Sequence, residues 1–303
     1  MIEGYSIQSG SLRCASKEGA SIWLSVAPDA AEQSELQRCV GIGAQAIESS
    51  LDPDEVARIE IKPDQLFLIW KRPESFDGRA FNVSSFGVVL SEKRLVVICA
   101  SNSLLSSLEH DRQMTGPLDV LMALLAESVH HYLGHLRVVK QIAREIQHPF
   151  TRAMDNQQLA QMYNLSESLV YYVNAIQSNG AVLTLLRNHG QRQGFSDSQL
   201  DSLNDLIVEN EQSYQLAKIH AKVFANLIES HGNLANNSMN RALRKLTLIN
   251  VVFLPLNLIA GIGGMSEFSM ATSGIPWWVS FPALIACMGV VGAGMVFALR
   301  RMA

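Results

Sequence analysis

The sequence predicts an α+β membrane protein: a cytoplasmic α/β domain, then a long helical stalk, then two C-terminal transmembrane helices. Three observations predict it. The 303 residues are 48% hydrophobic and only 17% charged, with a mean hydropathy of +0.12, too apolar for an ordinary soluble chain of this size. Residues 246–265 and 277–299 contain no charge at all, and each run matches the roughly 20 residues that cross a bilayer. Ahead of them, short β-rich runs give way after Gly116-Pro117 to continuous helical patterning.

The first hundred residues supply the sheet. Short β-rich runs at 22–26, 58–61, 66–70, 86–90 and 95–99 read as strands, and Ala30 to Ser50 reads as one crossing helix. Two hairpins are implied, at Lys62-Pro63-Asp64-Gln65 and at Ser91-Glu92-Lys93-Arg94. Gly41-Ile42-Gly43 lacks the third glycine and the strand-turn-helix setting of a dinucleotide loop. From Leu118 the pattern gives helices over 118–147 and 156–188, with a break near His148-Pro149. Ser196 and Gln199 have capping-box spacing, and the following apolar positions recur about every 3.5 residues. A helix continuous over 197–264 would be about 100 Å long at 1.5 Å per residue and would need partners along its length, copies of itself among them.

The predicted organisation is therefore a 1–115 α/β domain, a 116–195 helical region, a 196–245 stalk, a 246–265 first span, a 266–276 external loop, a 277–299 second span and a 300–303 tail. Arg241, Arg244 and Lys245 flank the first span and Arg300 and Arg301 follow the second, whereas the loop carries only Glu267. The positive-inside rule then puts both termini in the cytoplasm. Trp277 and Trp278 suit the interfacial aromatic belt. The opening MIEGYSIQSG has no basic residue before an apolar core, so no signal peptide is expected. The formal charge of −4 supplies no basic field for nucleic acid. Cys14, Cys39, Cys99 and Cys287 form no CxxC, so reduced thiols facing a cytosol are expected. No HExxH, P-loop or GxSxG occurs, and neither an enzyme nor an ATP-driven pump is expected.

Along the first span, Asn240, Leu243, Thr247, Asn250, Leu254, Asn257 and Gly261 advance by 3 and 4 residues and share one helix face. Asn233, Asn236 or Asn237, and Glu229 extend the row toward the cytoplasm. Amides and hydroxyls at membrane depth must meet another helix or water. Two readings follow: interhelical hydrogen bonds that hold a bundle, or the lining of a pore. Two spans cannot enclose a channel alone, so the second reading requires a ring of copies. Amide oxygens in rings would hold a cation that keeps much of its hydration shell. Leu243, Leu246 and Leu254 would form apolar constrictions, and Glu267 would gather cations at the outer mouth.

The stretch Phe253-Leu254-Pro255-Leu256-Asn257-Leu258-Ile259-Ala260-Gly261-Ile262-Gly263-Gly264-Met265-Ser266 resembles the end of the first membrane helix in CorA-type divalent metal transporters, including the ZntB branch. Residues 58–70 and 86–98, the stalk, the two spans and the terminal basic pair follow that family's order. The resemblance implies a homopentameric funnel in a bacterial inner membrane, a pore lined by the first span, and a transported or regulatory divalent cation, Zn or Mg, with no other cofactor. It places the selectivity mouth at Gly264, Met265, Ser266 and Glu267. One residue departs: the family's Gly-Met-Asn is here Gly264-Met265-Ser266, which replaces the amide by a hydroxyl. The outer Gly274-Ile275-Pro276 is closer to the zinc-transporting branch, so zinc is expected over magnesium, by passive or proton-coupled permeation. The alternatives are a magnesium channel with altered selectivity and a non-conducting scaffold or sensor.

His131 and His135 have the i, i+4 spacing that lets two imidazoles reach one metal. A cytoplasmic metal site there competes with a helix that simply carries several histidines, His130 among them. Asp197, Asp201, Asp205, Glu209 and Glu211 on the stalk would either bind regulatory cations between subunits or form a solvated face.

Overall fold

Apolar runs that are buried on both faces build the centre of a seven-stranded sheet. The computed structural model describes residues 1–8, 10–74, 76, 80–91, 94–101, 114–147 and 156–302, and the chain divides into two compact units, Met1–Ile228 and Glu229–Ala303. In the first unit the strands are β1 (Ile2–Gln8), β2 (Ser11–Ala15), β3 (Ile22–Val26), β4 (Arg58–Lys62), β5 (Gln65–Pro73), β6 (Val83–Ser91) and β7 (Leu95–Cys99). Their spatial order is β2-β1-β3-β7-β6-β5-β4. β3 runs parallel to β7 and the other pairs are antiparallel.

The five expected strands are present. The first hairpin closes with Lys62 opposite Gln65, the second with Leu90 opposite Leu95; Glu92 and Lys93 at its tip lie outside the described residues. β1 and β2 were not expected. They form the far edge of the sheet and are mostly half-exposed, so no apolar run marks them. The single helix expected over 30–50 is two helices, α1 (Ala30–Val40) and α2 (Ala44–Leu51). Gly41 adopts φ +72° and ends α1, a conformation glycine takes at no steric cost. Asp29 and Glu32 form a reciprocal capping box at the start of α1.

Alternation along β5 divides the core. Leu66, Leu68 and Trp70 face one cluster with Phe86, Val88 and Val97. Phe67 and Ile69 face the other, with Leu36 of α1 and Ile47 of α2. A Cβ on Gly87 would stand 1.9 Å from Ser50 Oγ, so α2 lies directly on the β6 backbone there. The long helices α3 (Pro117–Gln147), α4 (Asn156–Gly190) and α5 (Asp197–Gly263) follow, close to the expected bounds; the expected break at His148-Pro149 lies outside the described residues. Ser196 and Gln199 form the predicted capping box. Tyr132, Leu136, Leu165, Tyr172, Ile176, Ala217 and Phe224 make a separate interhelical core.

Beside the apolar packing of Val182, Leu183 and Leu186, a polar contact joins α4 to the sheet. β4 stops pairing at Arg58 opposite Ile69, and Asn179 of α4 takes its place two residues on. Its Oδ1 accepts from the Lys71 N–H at 3.0 Å, and its Nδ2 donates to the Lys71 carbonyl at 2.7 Å. A buried carboxamide thus satisfies both backbone groups that a strand would have paired.

The second unit holds the end of α5, a short helix α6 (Ser266–Ala271) and α7 (Trp277–Met302). The 266–276 segment, expected as a loop, therefore includes a helical turn. Pro255 and Pro282 sit inside α5 and α7 without ending either helix.

Candidate functional site

The last turns of α5 and the facing side of α7 define the geometry of the second unit. Leu248, Val252, Pro255, Leu256, Ile259 and Gly263 are the half-buried positions of α5 between 248 and 263. Ser280, Leu284, Met288, Val291, Gly292, Met295 and Leu299 are half-buried on α7. A Cβ on Gly263 would fall 2.6 Å from Leu284 Cδ2, and one on Gly292 would fall 3.6 Å from Leu256 Cδ1. Moving back along α5 while moving forward along α7 keeps contact, so the two helices are antiparallel, and the missing side chain of Gly263 permits the close approach.

Asn240, Leu243, Thr247, Asn250, Leu254, Asn257 and Gly261 are all exposed. At about 100° per residue their mean direction is roughly 160° from that of the half-buried set. The polar stripe therefore occupies the side of α5 turned away from α7. Leu243 is 52% and Leu254 70% exposed. Thr247 Oγ1 donates to the Leu243 carbonyl at 2.9 Å, which satisfies its hydroxyl within the helix and leaves the Asn side chains as the stripe's outward amides. Arg241, Arg244, Lys245 and Leu246 are exposed next to it.

At the end of the stripe the helix tightens. The Gly264 N–H reaches both Ala260 O and Gly261 O, at 3.1 and 3.2 Å, and the Met265 N–H reaches Ile262 O at 3.1 Å. Met265 is 54% exposed, Ser266 is exposed, and the side chain of Glu267 lies outside the described residues. Ser266 begins α6, so residues 264–266 are a compact turn between two helices. Trp277 and Trp278 are 78% and 65% exposed at the start of α7.

The histidines of α3 sit in the first unit. The rings of His131 and His135 meet edge to face with centroids 4.3 Å apart. His135 Nδ1 is 2.6 Å from the Tyr172 hydroxyl, and Phe81 tilts against the His135 ring at 4.9 Å. Burial, reinforced by His131, pushes the His135 pKa down to about 4. Burial also lowers that of His131, which Glu127 opposes. Burial keeps the Tyr172 hydroxyl protonated. Both imidazoles are thus neutral near pH 7, the form that ligates metals. Among the described residues no group of three or more His, Cys, Asp or Glu is arranged to hold a metal ion. His130 instead faces Glu209 of the stalk, Nε2 to Oε2 at 3.0 Å. All four cysteines are free, and burial raises the Cys99 pKa to about 11, which leaves an unreactive thiol.

Sequence reasoning missed Gly263, Gly292 and Tyr172. The glycines had a signal, small residues within charge-free helices, but each meets a leucine of the other helix, Gly263 against Leu284 and Gly292 against Leu256. Tyr172 lies 37 positions from His135 and nothing local marks it.

The family described as CorA-like Mg2+ transporter protein matches residues 18–301. The cobalt/magnesium transport protein CorA of Methanocaldococcus jannaschii is 22% identical over 292 residues, covering 90% of this chain and 88% of that protein. Its complete structure, that of a magnesium transporter, superposes with a TM-score of 0.78 at 20% identity over 100% of this chain and 97% of that one. The full-length CmaX protein gives 0.77 at 15% identity, over 99% and 96%. The ZntB cytoplasmic domain from Vibrio parahaemolyticus gives 0.60 at 8% identity, over 78% of this chain and 98% of that domain. At these identities the structural likeness speaks for the fold. With the sheet domain, the long helix and the two apolar helices in the same order from end to end, the chain is a membrane protein that belongs to the CorA-like Mg2+ transporter protein family.

Proposed function

We propose that this protein transports divalent cations through a pore formed by several copies, five on the family resemblance, each contributing the α5 stripe. The observation that carries this reading is the opposition of faces on α5: the apolar side is taken up by α7, and Asn240, Thr247, Asn250 and Asn257 are turned the other way. An Asn row in a bilayer has to find polar company, and a ring of copies around water provides it. Leu243 and Leu254, on the same face, would narrow the path by dewetting. In this arrangement residues 246–265 and 277–299 cross the bilayer of a bacterial inner membrane, 266–276 is external, and both termini are cytoplasmic.

For the cation, Ser266 in place of the family's Asn and the Gly274-Ile275-Pro276 element favour zinc, whereas the family description and the M. jannaschii relative name magnesium and cobalt. A hydroxyl in the ring at 264–266 is shorter than an amide and offers one donor in place of two, so it holds a hydrated ion less selectively.

Metal flux into liposomes containing the purified protein, with Zn2+, Mg2+, Co2+ and Ni2+ compared with and without a pH gradient, tests the proposal. Zinc flux above magnesium supports the zinc reading, and dependence on the gradient supports proton coupling. Ser266→Asn is then expected to shift preference toward magnesium; unchanged preference removes Ser266 from the filter. No flux of any divalent ion from an intact oligomer would leave a non-conducting scaffold or sensor.

A further inference from the structure

Past the first residue of β4, the edge of β5 opens on a cavity of about 960 Å3 in the cytoplasmic unit, the size of a site for a small organic molecule. Four segments wall it: the 53–57 loop after α2, the end of β5 through Glu74, Asn82 and Val83 at the start of β6, and the side of α4 that carries Tyr171, Asn174 and Ser178. At its floor is Lys71, only 7% exposed.

The environment of this lysine is unusual. Its ammonium donates to the Pro53 carbonyl and, at 3.1 Å, to Ser85 Oγ, both uncharged acceptors. Among the described residues no carboxylate stands within ion-pair distance of it. Asp54, Asp52 and Glu55 act on it electrostatically from beyond that distance; a buried ammonium is costly without a counter-anion in contact, and one of its three protons remains for a further acceptor. The rim has the opposite sign. Glu55 is occupied by Arg58, but Asp54 and Glu74 also line the cavity, and neither carboxylate makes an ion pair among the described residues. Among the described residues they do not assemble with other ligands into a metal site. Tyr171, 54% exposed, adds an aromatic face that attracts organic ammonium groups.

A cation at the floor and carboxylates with an aromatic ring at the rim are complementary to a molecule that carries both charges. We propose that this cavity binds a small zwitterion, with its carboxylate on the Lys71 ammonium and its ammonium toward Asp54, Glu74 and Tyr171. The proposal concerns the first unit alone and holds whether or not the protein conducts ions.

Isothermal titration of the full-length protein in detergent with the twenty L-amino acids and glycylglycine tests it, with succinate and putrescine as probes carrying only one of the two charges. At least one zwitterion is expected to bind saturably, with succinate and putrescine about tenfold weaker or worse, the loss expected when one charge-assisted contact is missing. Lys71→Met is expected to weaken binding about tenfold or more by the same reasoning. Asp54→Asn and Glu74→Gln alter rim side chains outside the core, so they test the site even if the Lys71 variant does not fold, and each is expected to weaken the zwitterion but not succinate. Absence of binding by the whole panel, equal binding of succinate or putrescine, or unchanged affinity in both rim variants would overturn the proposal.

Discussion

The two halves of α5 share one rhythm and use it in opposite ways. In the half that belongs to the first unit, Leu203, Leu206, Asn210, Ser213, Ala217, His220, Phe224 and Leu227 advance by 3 and 4 residues and are all buried. In the membrane half, the stripe from Asn240 to Gly261 advances by the same steps and is all exposed. Counted on from Leu227 in alternating steps of 4 and 3, the buried series arrives at Leu248, Val252, Pro255 and Ile259, on the half-buried side where Leu256 and Gly263 meet α7. The polar stripe sits two positions away from that series throughout. A heptad rhythm therefore marks a face without saying what covers it, and this helix carries two such faces in its last turns.

Substitution separates the two uses. The largest effect is expected in the stripe: Asn257→Leu, and likewise Asn250→Leu, should reduce cation flux to that of empty liposomes, while cross-linking shows the oligomer intact. If the stripe instead glues helices together, these variants lose the oligomer first. Next comes the buried series, where Phe224→Ala removes a fully buried ring and should cost about 3–5 kcal/mol of stability, read by denaturant titration of the detergent-solubilised protein. Smaller again is Gly263→Leu, which forces a side chain toward Leu284. It should cost about 1–3 kcal/mol in the helix pair and leave the melting of the first unit unchanged.

The smallest effect is a pH slope. His135 has a folded pKa of about 4 against about 6.5 unfolded, so between these values the unfolded chain binds the extra proton. Stability should be complete above about pH 6.5 and fall as pH drops toward about 4. His135→Phe should flatten that slope in thermal melts recorded across the window, and His131 and His220, both lowered by burial, add to it in the same direction.

How much of this was legible in the sequence follows from burial. β3, β5, β6 and β7 read clearly because both of their faces are covered, which leaves unbroken apolar runs such as Leu95 to Cys99. β1 and β2 did not, since an outer edge tolerates Glu3, Ser6 and Arg13 as readily as apolar residues. The break between α1 and α2 turns on the positive φ of Gly41, which the flanking helical pattern conceals. The stripe was legible as spacing, but its relation to α7 rests on Gly263 against Leu284 and Gly292 against Leu256, contacts between separate spans. The cavity above Lys71 was invisible, because segments distant in sequence enclose it.

The carboxamide of Asn179 holds a backbone amide that lies 108 positions away in the chain. That proton can exchange with solvent only when α4 lifts from the edge of the sheet, so its exchange rate measures the free energy of that local opening. The Lys71 amide is thereby a built-in gauge of helix docking: whatever loosens α4, a bound molecule in the adjoining cavity or a substitution far along the helix, should be read as a change in the lifetime of one hydrogen.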